Sequence, residues 1–369
     1  MALFTDIEPD LPPSRRRGWL GWSVLGFALL GVTVVAIIPA PYVIEQPGPV
    51  YDTLGEVLVD GESTPMIQIP TEETYPTEGT LDMLTVSVVG NRENLPTWLE
   101  IAVAYFDPSK AVVPVDAVYP AGTTLDQSNE QGRLDMANSQ KEAVAAALTH
   151  LGYEFSSTLT VAAVEPDMPA DGALQEGDVI LSVNGTSFAD VTGLQDAIAE
   201  SGADSPADFE ITRGGEPLTV EITPQLSDAA SPRPVVGILV GSEYDFPFDV
   251  QIQLENVGGP SAGMMFALGI IDKLTPGDLG GGETVAGTGT ISAGGAVGEI
   301  GGIRQKLYAA RNAGADWFLA PAADCDEVTG HVPDGLTVFA VETLDEALGA
   351  LEVVASGGDV SSVPSCPMD

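Results

Sequence analysis

The chain has 369 residues, enough for more than one domain, and carries 54 Asp plus Glu against 13 Lys plus Arg for a formal net charge of −41. Such an excess of acid excludes duplex nucleic acid as a partner, because backbone phosphates demand a basic footprint. Apolar residues reach 44 % and charged residues only 18 %, which excludes a disordered acidic chain and leaves folded domains with a solvated acidic surface.

Residues 1–14 are polar and contain proline, and Arg15, Arg16 and Arg17 precede a stretch from residue 18 to 44 without a charged side chain. Its part from 18 to 40, with Trp19, Trp22, Phe27, Val34 and Ile37, is long enough at ~1.5 Å per residue to cross a ~30 Å hydrocarbon layer. The arginines favour an N-in orientation, so residues 1–17 are expected in the cytoplasm and everything after residue 40 outside the cell membrane. A cleaved signal peptide is the alternative; the length of the run and the Pro39-Ala40-Pro41 exit favour an uncleaved single-pass anchor. Cys325 and Cys366 are the two cysteines, and an oxidising compartment would let them pair, tying the tail 353–369 to the last domain; two unpaired thiols are the alternative. No His/Cys/Asp cluster has metal-ligand spacing, so no metal is expected.

Residues 41–153 read as a β-containing block, with an extended exit at 42–49, a strand at 80–89 and a helix at 139–151 whose apolar face is Ala143, Ala146, Ala147 and Leu151. Between residues 154 and 225 come short strands at 159–164, 178–183, 207–213 and 218–222 and a helix at 193–201. The string from Pro169 to Gly185, with Gly177-Asp178-Val179-Ile180 and Asn184-Gly185 at its centre, resembles the PDZ family. That resemblance implies a β-sandwich or barrel with helices that adds an extended peptide to a sheet edge. It places the peptide-carboxylate loop near Ser157, Thr158 and Leu159, where the family's Gly-Leu-Gly-Phe pattern does not occur, and a purely structural or regulatory PDZ is the alternative. Residues 227–234 have linker composition, so the last domain is expected over 235–352.

In that domain Gly259-Pro260-Ser261-Ala262-Gly263 lies between an expected strand at 250–254 and an expected helix at 264–273. A serine at a helix start is often only a cap. The same position also offers free backbone N–H groups, those of Ser261 and Ala262, to a developing oxyanion, as acyl transfer needs. A second helix, at 303–313, has an apolar stripe of Ile303, Leu307 and Ala310 into which Lys306 falls, with Arg304, Tyr308 and Arg311 on other faces. An ammonium in apolar surroundings loses hydration, its pKa falls, and the neutral amine can take a serine proton; the alternative is a side chain that snorkels to water.

These two features, with the Gly-rich strand 284–291 and the Gly-rich turn 297–303, closely resemble the proteolytic domain of the Lon family, peptidase family S16. The resemblance implies an α/β fold like the second domain of ribosomal protein S5, with Ser261 as nucleophile, Lys306 as its base and Thr288 orienting the lysine. One position departs: the acid that many Lon enzymes carry three residues before the serine is Gly258 here. The order of anchor, first block, PDZ and Lon-type domain resembles the membrane-anchored PDZ-containing Lon-like proteins of bacteria, the YlbL family. In that arrangement the first block packs on the last domain, and a homo-oligomeric ring is implied.

The chain is thus expected to be an α+β, ATP-independent serine endopeptidase without cofactor, since no Gly-x-x-x-x-Gly-Lys-Ser/Thr phosphate loop occurs. Polypeptides are the expected substrates and PDZ ligands. Two readings compete. Gly-x-Ser-x-Gly also fits an α/β-hydrolase elbow, with Ser261, Asp324 and His331 as its triad. The other reading is a membrane-tethered PDZ adaptor with little proteolysis.

Overall fold

A computed structural model describes residues 22–23, 25–27, 35–59, 61–120, 122, 124–188, 190–227, 232–254 and 257–367. Residues 1–17 and most of the expected anchor at 18–40 lie outside the described residues. Among those described, no helix is long and apolar enough to cross a membrane. The chain divides into two compact units, residues 1–44 with 88–120 and residues 45–87 with 121–369. Strands β1 (Tyr42–Asp52) and β2 (Thr80–Val89) each contribute to both.

In the smaller unit, helix α1 (Trp98–Tyr105) opens on a capping box. The Thr97 hydroxyl accepts from the Glu100 amide while the Glu100 carboxylate accepts from the Thr97 amide. Its buried residues Ile101 and Ala104 pack on Ala40 and Ile44, and β3 (Ala111–Pro114) follows. The block expected at 41–153 is therefore divided: residues 88–120 bury their apolar face with Ala40 and Ile44, whereas 80–87 and 139–151 feed the core of the larger unit.

The larger unit opens its helical part with α2 (Leu125–His150), which extends 14 residues upstream of the expected start at 139. Sequence patterning finds only its C-terminal half because the first half is polar and exposed, with burial concentrated from Ser139 onward. The part that resembles a PDZ domain follows as β4 (Ser156–Val164), β5 (Val179–Val183), α3 (Val191–Ser201), β6 (Ala207–Arg213) and β7 (Glu216–Ile222). A further strand, β8 (Ile238–Asp245), pairs antiparallel with β4 along its whole length and completes a sheet of order β7-β6-β5-β4-β8. This corrects two expectations. The last domain does not begin at 235, and the 227–234 segment is no free linker, since Pro234–Val235 pairs with Gln225–Leu226. Residues 228–231 of that segment lie outside the described residues.

The last part contributes α4 (Gly263–Leu274), β9 (Thr284–Gly287), α5 (Ile303–Ala313), β10 (Trp317–Pro321), β11 (Thr337–Val341) and α6 (Leu344–Ser356). In the larger unit β11, β10, β9 and β2 run parallel in one sheet. Such strands are buried on both faces, so they read as apolar runs instead of alternating ones. Val285, Leu319 and Phe339 face one core with α2, α4 and α6, while Ala286, Phe318 and Val338 face another with Ile303, Leu307 and Ala310 of α5. Ten consecutive residues of α4, Gly263 to Asp272, are buried, as expected of a helix apolar all round. Instead of the expected strand at 250–254, only Gln251–Ile252 pairs, with Ile67–Gln68. Cys325 and Cys366 are joined by a disulfide.

Candidate active site

Ser261 lies one residue before the α4 N-cap, Ala262. Gly263 lets that helix start pack tightly: a Cβ there would meet Ile291 Cγ2 and Ser139 Oγ at 2.9 Å. Ser139 in turn donates to the Pro260 carbonyl at 2.8 Å and fixes the preceding turn. Among the described residues, no acceptor engages the amide N–H groups of Ser261 and Ala262. Both sit at the positive end of the α4 dipole.

Lys306, on the first turn of α5, is 2 % exposed. Its Nζ lies 2.9 Å from Ser261 Oγ and 3.0 Å from Thr288 Oγ1. Thr288 is fully buried, and its hydroxyl donates to the Ser261 carbonyl at 2.9 Å. The expected single strand 284–291 is broken at this point: β9 ends at Gly287 and pairing resumes at Thr290. The break turns Thr288 and Gly289 toward Ser261, whose carbonyl also accepts the Gly289 amide at 2.9 Å.

Burial pushes the Lys306 ammonium down to about 8, against an upward pull from Asp324 and Glu45. Neither carboxylate bonds the amine. Asp324 accepts the Ile300 amide at 3.1 Å, and burial raises its pKa; burial likewise raises that of Glu45 on β1. Sequence patterning misses Glu45, which lies 261 residues before Lys306 with no local motif around it.

A cleft of about 360 Å³ opens beside the serine, lined by Tyr51, residues 83–87, Met136, Val257 and Gly258 together with Ser261 and Lys306. Parallel pairing of β2 with β9 covers residues 80–83, so among the described residues 84–87 run along the cleft with no strand paired on that edge. Polar backbone at an open strand edge is a template for an added extended chain.

The Ser261, Asp324, His331 triad is not assembled. Ser261 faces Lys306, Asp324 binds the Ile300 amide, and His331 Nδ1 pairs with the Glu327 carbonyl at 3.0 Å.

In the PDZ part, Ser157, Thr158 and Leu159 lie inside β4. This strand is paired to β8 through all three residues and to β5 at Leu159, so Leu159 is paired on both sides. A cleft of about 590 Å³ lies between α3 and residues 233–240, beside the outer edge of β8. Its turn depends on Gly237 (φ +77°), where a Cβ would meet Met168 Cβ at 2.2 Å. Asp178 of the Gly-Asp motif is structural: Arg213 clamps both its oxygens at 2.7 Å, and the Gln175 amide adds 2.8 Å.

Residues 256–353 match the family model of the Lon protease (S16) C-terminal proteolytic domain, and residues 134–223 match that of the PDZ domain. The Lon protease of Haemophilus influenzae is 39 % identical over 136 residues, which is 35 % of this chain and 17 % of that protein. The Lon protease of Clostridioides difficile is 40 % identical over 93 residues, 24 % of this chain and 12 % of that protein. The chain thus spans less than a fifth of the length of these relatives. The solved PDZ domain of an SdrC-like protein from Listeria innocua is 26 % identical with a TM-score of 0.21, covering 22 % of this chain and 92 % of that one. Residues 256–353 are therefore a serine peptidase domain of the Lon C-terminal kind, in a chain that also carries a PDZ domain.

Proposed function

We propose that this chain is a membrane-anchored, ATP-independent endopeptidase that cuts extended polypeptides outside the cytoplasmic membrane with a Ser261–Lys306 dyad, its PDZ part capturing or gating them. The observation that carries the reading is the 2.9 Å approach of a buried, low-pKa Lys306 amine to Ser261 Oγ at a helix start.

In the neutral state Lys306 donates to Thr288 and accepts the Ser261 proton as Oγ attacks the scissile carbonyl. The Ser261 and Ala262 amides donate to the oxyanion that forms. Lys306 then hands its proton to the leaving amine, leaving an ester on Ser261. A water attacks that ester, Lys306 takes the water's proton and returns it to Oγ, and the acid product leaves. An extended substrate bound along residues 84–87 presents its carbonyls to this centre, which favours unfolded polypeptide over folded protein. The acid missing at Gly258 leaves Glu45 and Asp324 as the carboxylates that act on Lys306 through space.

The charge-free run at 18–40 behind three arginines supports the single-pass anchor, and the order of segments resembles the YlbL family. A ring of copies is part of the same reading by resemblance. The test is cleavage of casein by the full-length chain in lipid vesicles after nucleotide has been destroyed with apyrase. New casein N-termini support the reading; intact casein, or cleavage only with ATP, refutes it.

A further inference from the structure

Helix α1 is apolar on the side that should be polar. Ile101 and Ala104 fill its buried face, yet Trp98 is 40 % exposed, Leu99 57 %, Val103 64 %, Tyr105 77 % and Phe106 85 %. Trp98, Ala102 and Phe106 follow at intervals of four, as do Leu99 and Val103, so at 100° per residue they form one broad outward stripe. The single charged residue of the helix, Glu100, falls beside this stripe, and its carboxylate is turned back onto the Thr97 amide and hydroxyl at 2.7 and 2.8 Å. A helix apolar all round belongs in a core or in contact with lipid.

The chain itself indicates which contact. The Trp98 amide donates to the Ile38 carbonyl at 3.2 Å, Pro39 bridges Thr97, and the Ala40 amide donates to the Pro96 carbonyl at 2.8 Å. Ile38 lies two residues before the end of the 18–40 span, and it is itself exposed, as are Val35 and Ile37. The first turn of α1 is thus hydrogen-bonded to the point where that run ends. A span ending there brings Trp98 to headgroup depth, where Trp and Tyr side chains are enriched. Tyr42 stacks edge-on against Trp98 at 5.9 Å and adds a second aromatic at that level.

We infer that α1 lies in the outer lipid interface of the membrane that holds the 18–40 run, with Trp98 at headgroup level and Leu99, Val103 and Phe106 inserted toward the acyl chains. This rests on the membrane anchor proposed above. It assigns lipid contact to a segment that begins 58 residues beyond that anchor's end.

The experiment places photoreactive p-benzoylphenylalanine at Val103, at Phe106, at Trp22 within the run, or at exposed Glu216 of the PDZ part, one site per preparation. Each full-length chain is reconstituted in phosphatidylethanolamine/phosphatidylglycerol vesicles, irradiated and analysed by mass spectrometry. All four side chains are exposed, and retention of the Cys325–Cys366 disulfide reports folding. Gain of lipid mass at 103, 106 and 22 but not at 216 is the expected result. Lipid at 22, with chain-to-chain cross-links or no adduct at 103 and 106, overturns the inference and leaves the anchor standing. Lipid at 103 and 106 without lipid at 22 supports interfacial seating of α1 and refutes the anchor. No lipid at 22, 103 or 106 overturns both.

Discussion

Thr288 relays between Ser261 and Lys306: its hydroxyl donates to the Ser261 carbonyl at 2.9 Å, so its lone pair is left to accept from Lys306 Nζ at 3.0 Å. The amine is thereby pinned through one N–H, which aims its remaining valences at Ser261 Oγ. Thr288→Val keeps the shape and removes both bonds. It should lower kcat about 10- to 100-fold, the worth of one or two hydrogen bonds, with little change in KM. Thr288→Ser should restore most of the loss. Steady-state kinetics on a fluorogenic peptide measures both.

Because Lys306 must be neutral to act as base and its pKa lies at about 8, kcat/KM should rise with pH through about 8 and then level off. The same shift acts on stability with a definite sign. The folded pKa lies below the unfolded one, so the unfolded chain binds more protons between about 8 and 10.5, and stability rises with pH across that window. Below it the buried ammonium costs about 3 kcal/mol. Lys306→Met should therefore be inactive yet more stable than the parent at pH 7, a gain that closes toward pH 10. Denaturant titrations at several pH values read this out.

The Cys325–Cys366 disulfide spans 41 residues and holds the C-terminal segment, whose Pro364 carbonyl accepts the Ala340 amide. Loop-closure entropy for that span is worth about 4 kcal/mol. Replacing both cysteines with serine should lower stability by up to that amount and speed proteolytic trimming after residue 356. Asp324 adjoins Cys325, so a fall in activity with an altered pH profile should accompany the loss.

Two PDZ substitutions separate structure from capture. Asp178→Ala leaves Arg213 only the Ala173 carbonyl and removes the acceptor of the Gln175 amide, which should destabilise the PDZ part by about 1–3 kcal/mol. Gly237→Val puts a branched side chain where even a Cβ clashes with Met168, and at positive φ. It should abolish peptide binding in the α3/β8 groove while hydrolysis of a short fluorogenic peptide persists. Calorimetry and peptide titration distinguish the two.

Much of this was legible in the sequence for identifiable reasons. The bounds of α5 agree with its apolar period and the lysine on it, and β2 and β6 with their β-rich composition. Thr288 required the family resemblance, because a buried threonine in a Gly-rich run has no periodic signature of its own. β8 was hidden because the Ser/Pro-rich sequence 227–234 before it reads as a boundary. Its partner β4 lies about 80 residues earlier, and strand pairing at that range leaves no local trace. Glu45 and Asp324 converge on Lys306 only through tertiary folding.

The central claim is that Lys306 activates Ser261. The most direct test is the rate at which a fluorophosphonate labels Ser261, followed by mass spectrometry across pH for the parent, Lys306→Met and His331→Ala chains. The account predicts labelling that rises to half-maximum near pH 8 in the parent and in His331→Ala and is lost in Lys306→Met. Labelling that survives Lys306→Met, or that disappears in His331→Ala, would contradict it.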